Sequence, residues 1–231
     1  MIREIIRHLL RQRGLELLKI PNSGDFLNDR HCDLVLDVGA NIGQFGRGLR
    51  TLGYRGRIVS FEPLDSCYPQ LKAVADRDPA WECRQVALGD HEYSTEINIS
   101  RHTAYSSIRK LSAVGENFDP NTEVVATQKI YVSTIDVQMK SLQADHPFLK
   151  IDTQGFEKEV LAGAKDTLRR CVGLLLELPV ENLYDNVWGF SEAVAYVESL
   201  GFLPAQILPV SPRRSDRVSA LEFDCLFRRV D

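Results

Sequence analysis

The sequence predicts an α/β fold: a doubly wound parallel sheet with helices on both faces and one reversed strand near its end. Three observations carry this. Apolar runs of strand length alternate with stretches of helix length from residue 33 to residue 201, the pattern of a parallel sheet covered on both sides. The first run, DLVLDV, passes into a glycine-rich turn that opens a helix. The last two runs, 202–210 and 220–229, have no helix between them, so they are expected to pair antiparallel at one edge.

The elements follow in order. MIREIIRHLLRQRGLELLKI reads as an amphipathic helix, with Ile2, Ile5, Ile6, Leu9 and Leu10 on one face and Arg3, Arg7 and Arg11 on another. Residues 21–30, PNSGDFLNDR, read as a linker into a single domain spanning 31–231. DLVLDV is a buried strand, GQFGRGLRTLGY a helix ending near Gly53, and RIVSFEP a strand stopped by Pro63. A helix follows, with Asp65 or Ser66 as N-cap, and WECRQVAL is the third strand. Residues 91–131 change character and read as strands and loops, an insert on the acceptor side of a binding site. Then come PFLKID (strand), FEKEVLAGAKDTLRR (helix), VGLLLEL (strand), SEAVAYVESLG (helix) and the closing pair of strands.

Composition sets limits. The chain has 231 residues, 44% hydrophobic and 26% charged, with net charge −4, a balance that argues against nucleic acid as a partner. Five dispersed cysteines with no Cys-x-x-Cys argue against a disulfide scaffold or structural zinc and for a reducing, cytoplasmic setting. No apolar run reaches the roughly 20 residues of a membrane span. The N-terminal apolar stripe is expected to pack on its own domain; its alternatives are peripheral membrane contact and a homo-oligomer interface. RQRG and PRRSDR are basic clusters, either solvated faces or readers of a phosphate or anionic lipid head group.

The turn after the first strand carries the functional signal. A dinucleotide turn reads G-x-G-x-x-G; here Gly39-Ala40-Asn41-Ile42-Gly43 places Asn41 where the second glycine would stand. Pyrophosphate needs that close backbone approach, and a phosphate-free cofactor does not. Glu62, at the tip of the second strand, is placed to accept two ribose hydroxyls. Asp37 is placed to orient the turn or to meet a ligand's ammonium group. Acids on two sides suit a cationic nucleoside, S-adenosyl-L-methionine. At the third tip, backbone around Ala87, Leu88 and Gly89 frames adenine, and Asp90 is a candidate acceptor for its exocyclic amine.

DVGANIGQFG, SFEP, VALGD, SSI, STID, LKIDTQGFEKEVLAGA and LLLEL, in that order over about residues 33–205, together resemble the FkbM family of S-adenosylmethionine-dependent methyltransferases. KIDTQGFEKEVLAGA is the most telling piece. The resemblance implies a Rossmann-like class I methyltransferase fold, with seven strands, the last antiparallel, and transfer of a methyl group to a hydroxyl of a sugar, glycolipid or secondary metabolite. It places Asp37, Gly39 and Gly43 at the amino-acid end of the cofactor, Glu62 at the ribose, Ala87, Leu88 and Gly89 near adenine, and Asp152 facing the transferred methyl. The alternatives are an N- or protein methyltransferase and a non-catalytic nucleotide-binding accessory module.

Methyl transfer to an alcohol needs alignment and removal of a proton. Lys150, Asp152 and Gln154 crowd one strand-to-helix junction, and Lys150 and Asp152 share a face of the strand. Asp152 is a candidate base, or with Glu177 a candidate ligand pair for a divalent metal. Of five histidines, His102, inside the insert, is the candidate base. Tyr105, Ser106, Ser107, Gln154 and Trp188 are candidate acceptor contacts.

Overall fold

The computed structural model describes residues 2–14, 21–212 and 219–230. Helix α1 (Ile2–Arg11) precedes α2 (Ser23–Asp29), β1 (Leu34–Val38), α3 (Gln44–Thr51), β2 (Arg57–Phe61), α4 (Tyr68–Ala75), β3 (Trp81–Arg84) and β4 (Ala87–Leu88). Then follow β5 (Tyr93–Ser100), α5 (Ala113–Phe118), β6 (Val124–Ser133), α6 (Ile135–Met139), β7 (Pro147–Ile151), α7 (Glu157–Ala162) and α8 (Lys165–Leu168). The chain ends with β8 (Gly173–Pro179), α9 (Phe190–Ser199), β9 (Phe202–Pro212) and β10 (Ala220–Arg229).

The main sheet has seven strands in the order β3-β2-β1-β7-β8-β10-β9. All are parallel except β10, which pairs antiparallel with both β8 and β9. Sequential winding runs outward from β1 in one direction and resumes at β7 in the other, so the topological switch lies between β1 and β7. The alternation of side chains along β1 explains the two-sided core. Leu34, Leu36 and Val38 join α6, α7, α8 and α9 on one face, while Val35 joins α2, α3 and α4 on the other.

Several expectations give way here. Residues 23–29 are helical, not linker: Asn22 Oδ1 accepts from the Asp25 N–H and Asp25 returns the bond to Asn22, a capping box. α4 starts after Cys67 with no side-chain cap, so neither Asp65 nor Ser66 holds that position. The third apolar run breaks after Arg84, and Ala87–Leu88 cross into a second, three-stranded sheet ordered β4-β6-β5. The long helix expected at 156–170 is interrupted at Gly163, where a Cβ would sit 1.9 Å from the Gly89 carbonyl oxygen. The apolar side of α1 is not packed away: Ile5, Ile6 and Leu9 remain exposed. The Arg-rich part of PRRSDR lies outside the described residues. All five cysteines are free, and no described helix is long and apolar enough to cross a membrane.

Candidate active site

A cavity of about 410 Å³ opens at the carboxyl ends of β1, β2 and β7, beside the switch point where open α/β sheets hold ligands. Its volume suits a small molecule.

The turn after β1 forms its floor. The N–H groups of Gly39 and Ala40 both donate to the Phe61 carbonyl, each at 3.1 Å. Gly39 has φ +73°, and a Cβ there would stand 1.9 Å from the Asp152 carbonyl oxygen. The glycine is therefore demanded by the neighbouring chain as well as by its own dihedral. Asn41 also sits in the left-handed region, at φ 48°, which asparagine tolerates better than most residues. Its N–H donates to Glu62 Oε2 at 2.8 Å and its Nδ2 to Thr103 Oγ1 at 3.2 Å, so it ties the turn both to the second strand tip and to the insert.

Glu62 accepts again at Oε1, from the Leu64 N–H at 2.9 Å. Each carboxylate oxygen keeps a further lone pair, and the group lines the cavity. Burial pushes its pKa up to about 7, against the pull of those two amides and of Lys150.

Strand register explains the charges beneath. Asp37 pairs with Ser60 on β2 and with Lys150 on β7. Asp37 is fully buried; Oδ2 accepts from Ser60 Oγ at 2.9 Å and Oδ1 stands 3.3 Å from Lys150 Nζ. Lys150 also donates to the Gly39 carbonyl at 3.1 Å and reaches Asp152 Oδ2 at 3.5 Å. Burial opposes its charge, but Asp37 and Asp152 outweigh burial and raise its pKa. Lys150 is thus a fixed ammonium that orients two carboxylates, not a proton acceptor.

Asp152 is held from its other side by Gln154 Nε2, which donates to Oδ1 at 2.9 Å. Gln154, at φ 55°, is itself anchored: its carbonyl accepts from Ser107 Oγ at 2.6 Å, and its Oε1 lies 3.0 Å from Tyr184 Oη. Glu157 clamps the same loop by accepting from the Thr153 and Gly155 N–H groups. Arg109 covers it, donating to the Gly155 carbonyl, pairing with Glu159 and lying over the Phe156 ring.

Of the residues expected from sequence, Gly39, Asn41, Glu62, Ala87, Leu88, His102, Tyr105, Ser106, Lys150, Asp152, Gln154 and Glu177 line the cavity. Asp37 does not; it supports the floor from below. Gly43 caps α3 and faces Leu71 and Trp81. Gly89 packs on Phe156 and Val132, and Asp90 points outward to His91 Nδ1 at 2.8 Å. Ser107 is a buried brace of the Gln154 loop, and Trp188 belongs to the core beside Tyr196. His102 stands exposed at the rim, where Nδ1 accepts from the Ala104 N–H at 3.4 Å.

Phe45, Leu64, Val210, Glu222 and Asp224 also line the cavity and were not anticipated. Glu222 and Asp224 did leave a trace: two acids two residues apart in an apolar strand share a face. β10 lays Asp224 opposite Glu177. Burial, then Asp152 and Glu222, raise the pKa of Glu177; burial and Asp152 push Asp224 up to about 6. Asp152 and Glu177 both line the cavity; among the described residues no group of three or more His, Cys, Asp or Glu side chains is arranged to hold an ion.

The pattern that defines the methyltransferase FkbM domain matches residues 37–204, which contain the turn, Glu62 and the Asp152 loop. The chain belongs to this family. Among solved structures, the FkbM domain superposes on methyltransferase FkbM from Methylobacillus flagellatus KT, 18% identical, with TM-score 0.53 over 85% of this chain and 43% of that one. It also superposes on the fibrillarin/Nop5p complex, 11% identical, with TM-score 0.50 over 92% of this chain and 77% of that one. Both likenesses concern the fold. The chain spans less than half the length of the first of these. No curated protein matches the FkbM chain.

Proposed function

We propose that this protein is an S-adenosylmethionine-dependent O-methyltransferase whose acceptor is a hydroxyl of a sugar, glycolipid or secondary metabolite. The observation that carries the reading is the position of Asp152: a carboxylate oriented by Lys150 and Gln154 in the same cavity as Glu62, the acceptor for a ribose. When bound, S-adenosylmethionine supplies an electrophilic methyl group on a sulfonium.

The chain's own residues do the rest. Glu62 would accept the ribose hydroxyls, Leu64, Ala87 and Leu88 would border the adenine, and the turn at Gly39–Asn41 would receive the amino-acid end. Asp152 would accept the proton of an acceptor hydroxyl and so free its oxygen to take the methyl group that the cofactor would supply. Lys150 keeps Asp152 oriented. The acceptor end is lined by Asp152, Glu177, Glu222 and Asp224, with Lys150 as the one cationic lining residue among those described. That charge set favours a neutral polyhydroxyl acceptor over a phosphate. The free cysteines support a cytoplasmic setting.

The test is calorimetric binding of S-adenosylmethionine against NAD, followed by transfer of labelled methyl to fractionated glycans and glycolipids. Asp152→Asn is expected to lower turnover by about 100-fold or more while cofactor affinity stays within severalfold. Absence of S-adenosylmethionine binding, or full turnover by the variant, overturns the reading.

A further inference from the structure

Helix α1 takes no part in the site. Ile5, Ile6 and Leu9 are 55%, 46% and 55% exposed, and their spacing puts them on one side of the helix with the partly covered Leu10. Such a stripe left in water marks a surface that meets something apolar. The same segment is cationic. Residues 2–14 carry four arginines against one glutamate, in a chain of net charge −4, and Arg7 and Arg13 are exposed.

A second exposed apolar strip lies on β9, the outermost strand of the main sheet. Leu208 and Val210, two residues apart and so on one face of the strand, are more than a third exposed, and Val210 also lines the cavity. On this strand Gln206 Nε2 donates to the Pro21 carbonyl at 2.9 Å. Pro204 and Pro209 remove backbone donors from β9, which blunts it against adding a strand from a second copy. A second copy would also bring one arginine-bearing helix against another. Basic side chains beside an apolar stripe complement an anionic lipid surface, which attracts the cations and takes up the aliphatic side chains.

We propose that α1 and the exposed strip of β9 dock the protein on an anionic membrane surface, with the mouth of the cavity, at Val210, held at the lipid–water boundary. The docking is independent of the transfer chemistry.

Flotation of the full chain with vesicles tests it, using phosphatidylcholine alone and phosphatidylcholine mixed with phosphatidylglycerol. Binding is expected to be about tenfold or more tighter on the anionic vesicles and to fall in high salt. Ile5→Asp/Leu9→Asp, Arg7→Glu/Arg13→Glu and Leu208→Asp are each expected to weaken it about tenfold, with the melting temperature retained as the check on folding. No flotation, or equal binding to both vesicle types, overturns the proposal. A dimer by light scattering that Ile5→Asp/Leu9→Asp converts to monomer, without flotation, assigns the face to a second copy instead. Wild-type binding by folded Leu208→Asp removes β9 from the surface.

Discussion

Glu62 works in two directions. Its carboxylate ties the Asn41 and Leu64 amides together and offers its remaining lone pairs to the cavity. With its pKa pushed up to about 7 in the unliganded protein, a proton would compete with the ribose of the proposed cofactor. Under that proposal the ionised form is the binding one, so cofactor affinity is expected to rise with pH and level off above about 7, falling by up to about tenfold per unit below. Titration calorimetry between mildly acidic and mildly basic buffers reads this directly, and Glu62→Gln should abolish the slope. Lys150 and Asp37 also face Glu62, but Lys150 remains charged throughout that window. Gly39 is equally exacting. Gly39→Ala would press a Cβ onto the Asp152 backbone in a left-handed conformation, and a loss of several kcal/mol of stability is expected, readable as a large drop in the urea midpoint. Both residues stood out in the sequence, one as a strand-tip acid and one in the turn. The reason for Gly39 did not, because its constraint comes from a loop more than a hundred residues away.

At the scale of elements, the insert is a brace for the Asp152 loop. Ser107 and Arg109, at the end of the segment after β5, bond to Gln154, Gly155 and Glu159, and Thr103 holds Asn41. Arg109→Ala removes the cover over Phe156 and leaves Glu159, whose Oε2 is already buried without a partner, unpaired altogether. A loss of about 1–2 kcal/mol is expected, together with a lower kcat and little change in cofactor affinity; a thermal melt and single-turnover kinetics check the two halves. The strand DLVLDV was legible from its apolar run, and so was the terminal hairpin. The break in WECRQVAL was not, since Glu62 N–H and Val86 N–H both bond to the Arg84 carbonyl and thereby turn the chain out of the main sheet. Helix α2 escaped notice because its polar residues, which look like a turn, serve as a capping box.

Over the whole molecule, carboxylates are gathered where three strands end. Glu62, Glu177, Glu222 and Asp224 all have raised pKa values, burial being the first cause in each. An acid whose folded pKa lies above its unfolded value contributes stability that is complete below the unfolded pKa and is lost as pH rises through the folded one. The unliganded protein is therefore expected to melt at a lower temperature at pH 8 than at pH 5.5, the loss beginning above the unfolded carboxylate range of about 4, ending at about 6 for Asp224 and about 7 for Glu62, and continuing above about 7 for Glu177; a pH-independent melt would contradict the buried cluster. The sequence by itself determined the order of strands and helices, the reversed strand, the glycine turn, Glu62 and the Asp152 junction, because apolar periodicity and turn chemistry are local properties. Only the tertiary structure decided which of those residues face the cavity. Strand register sank Asp37 beneath Lys150, the crossing of β4 carried Gly89 and Asp90 away, and β10 brought Glu222 and Asp224 across from Glu177. Each of those placements depends on pairing between distant segments, which residue spacing within one segment does not encode.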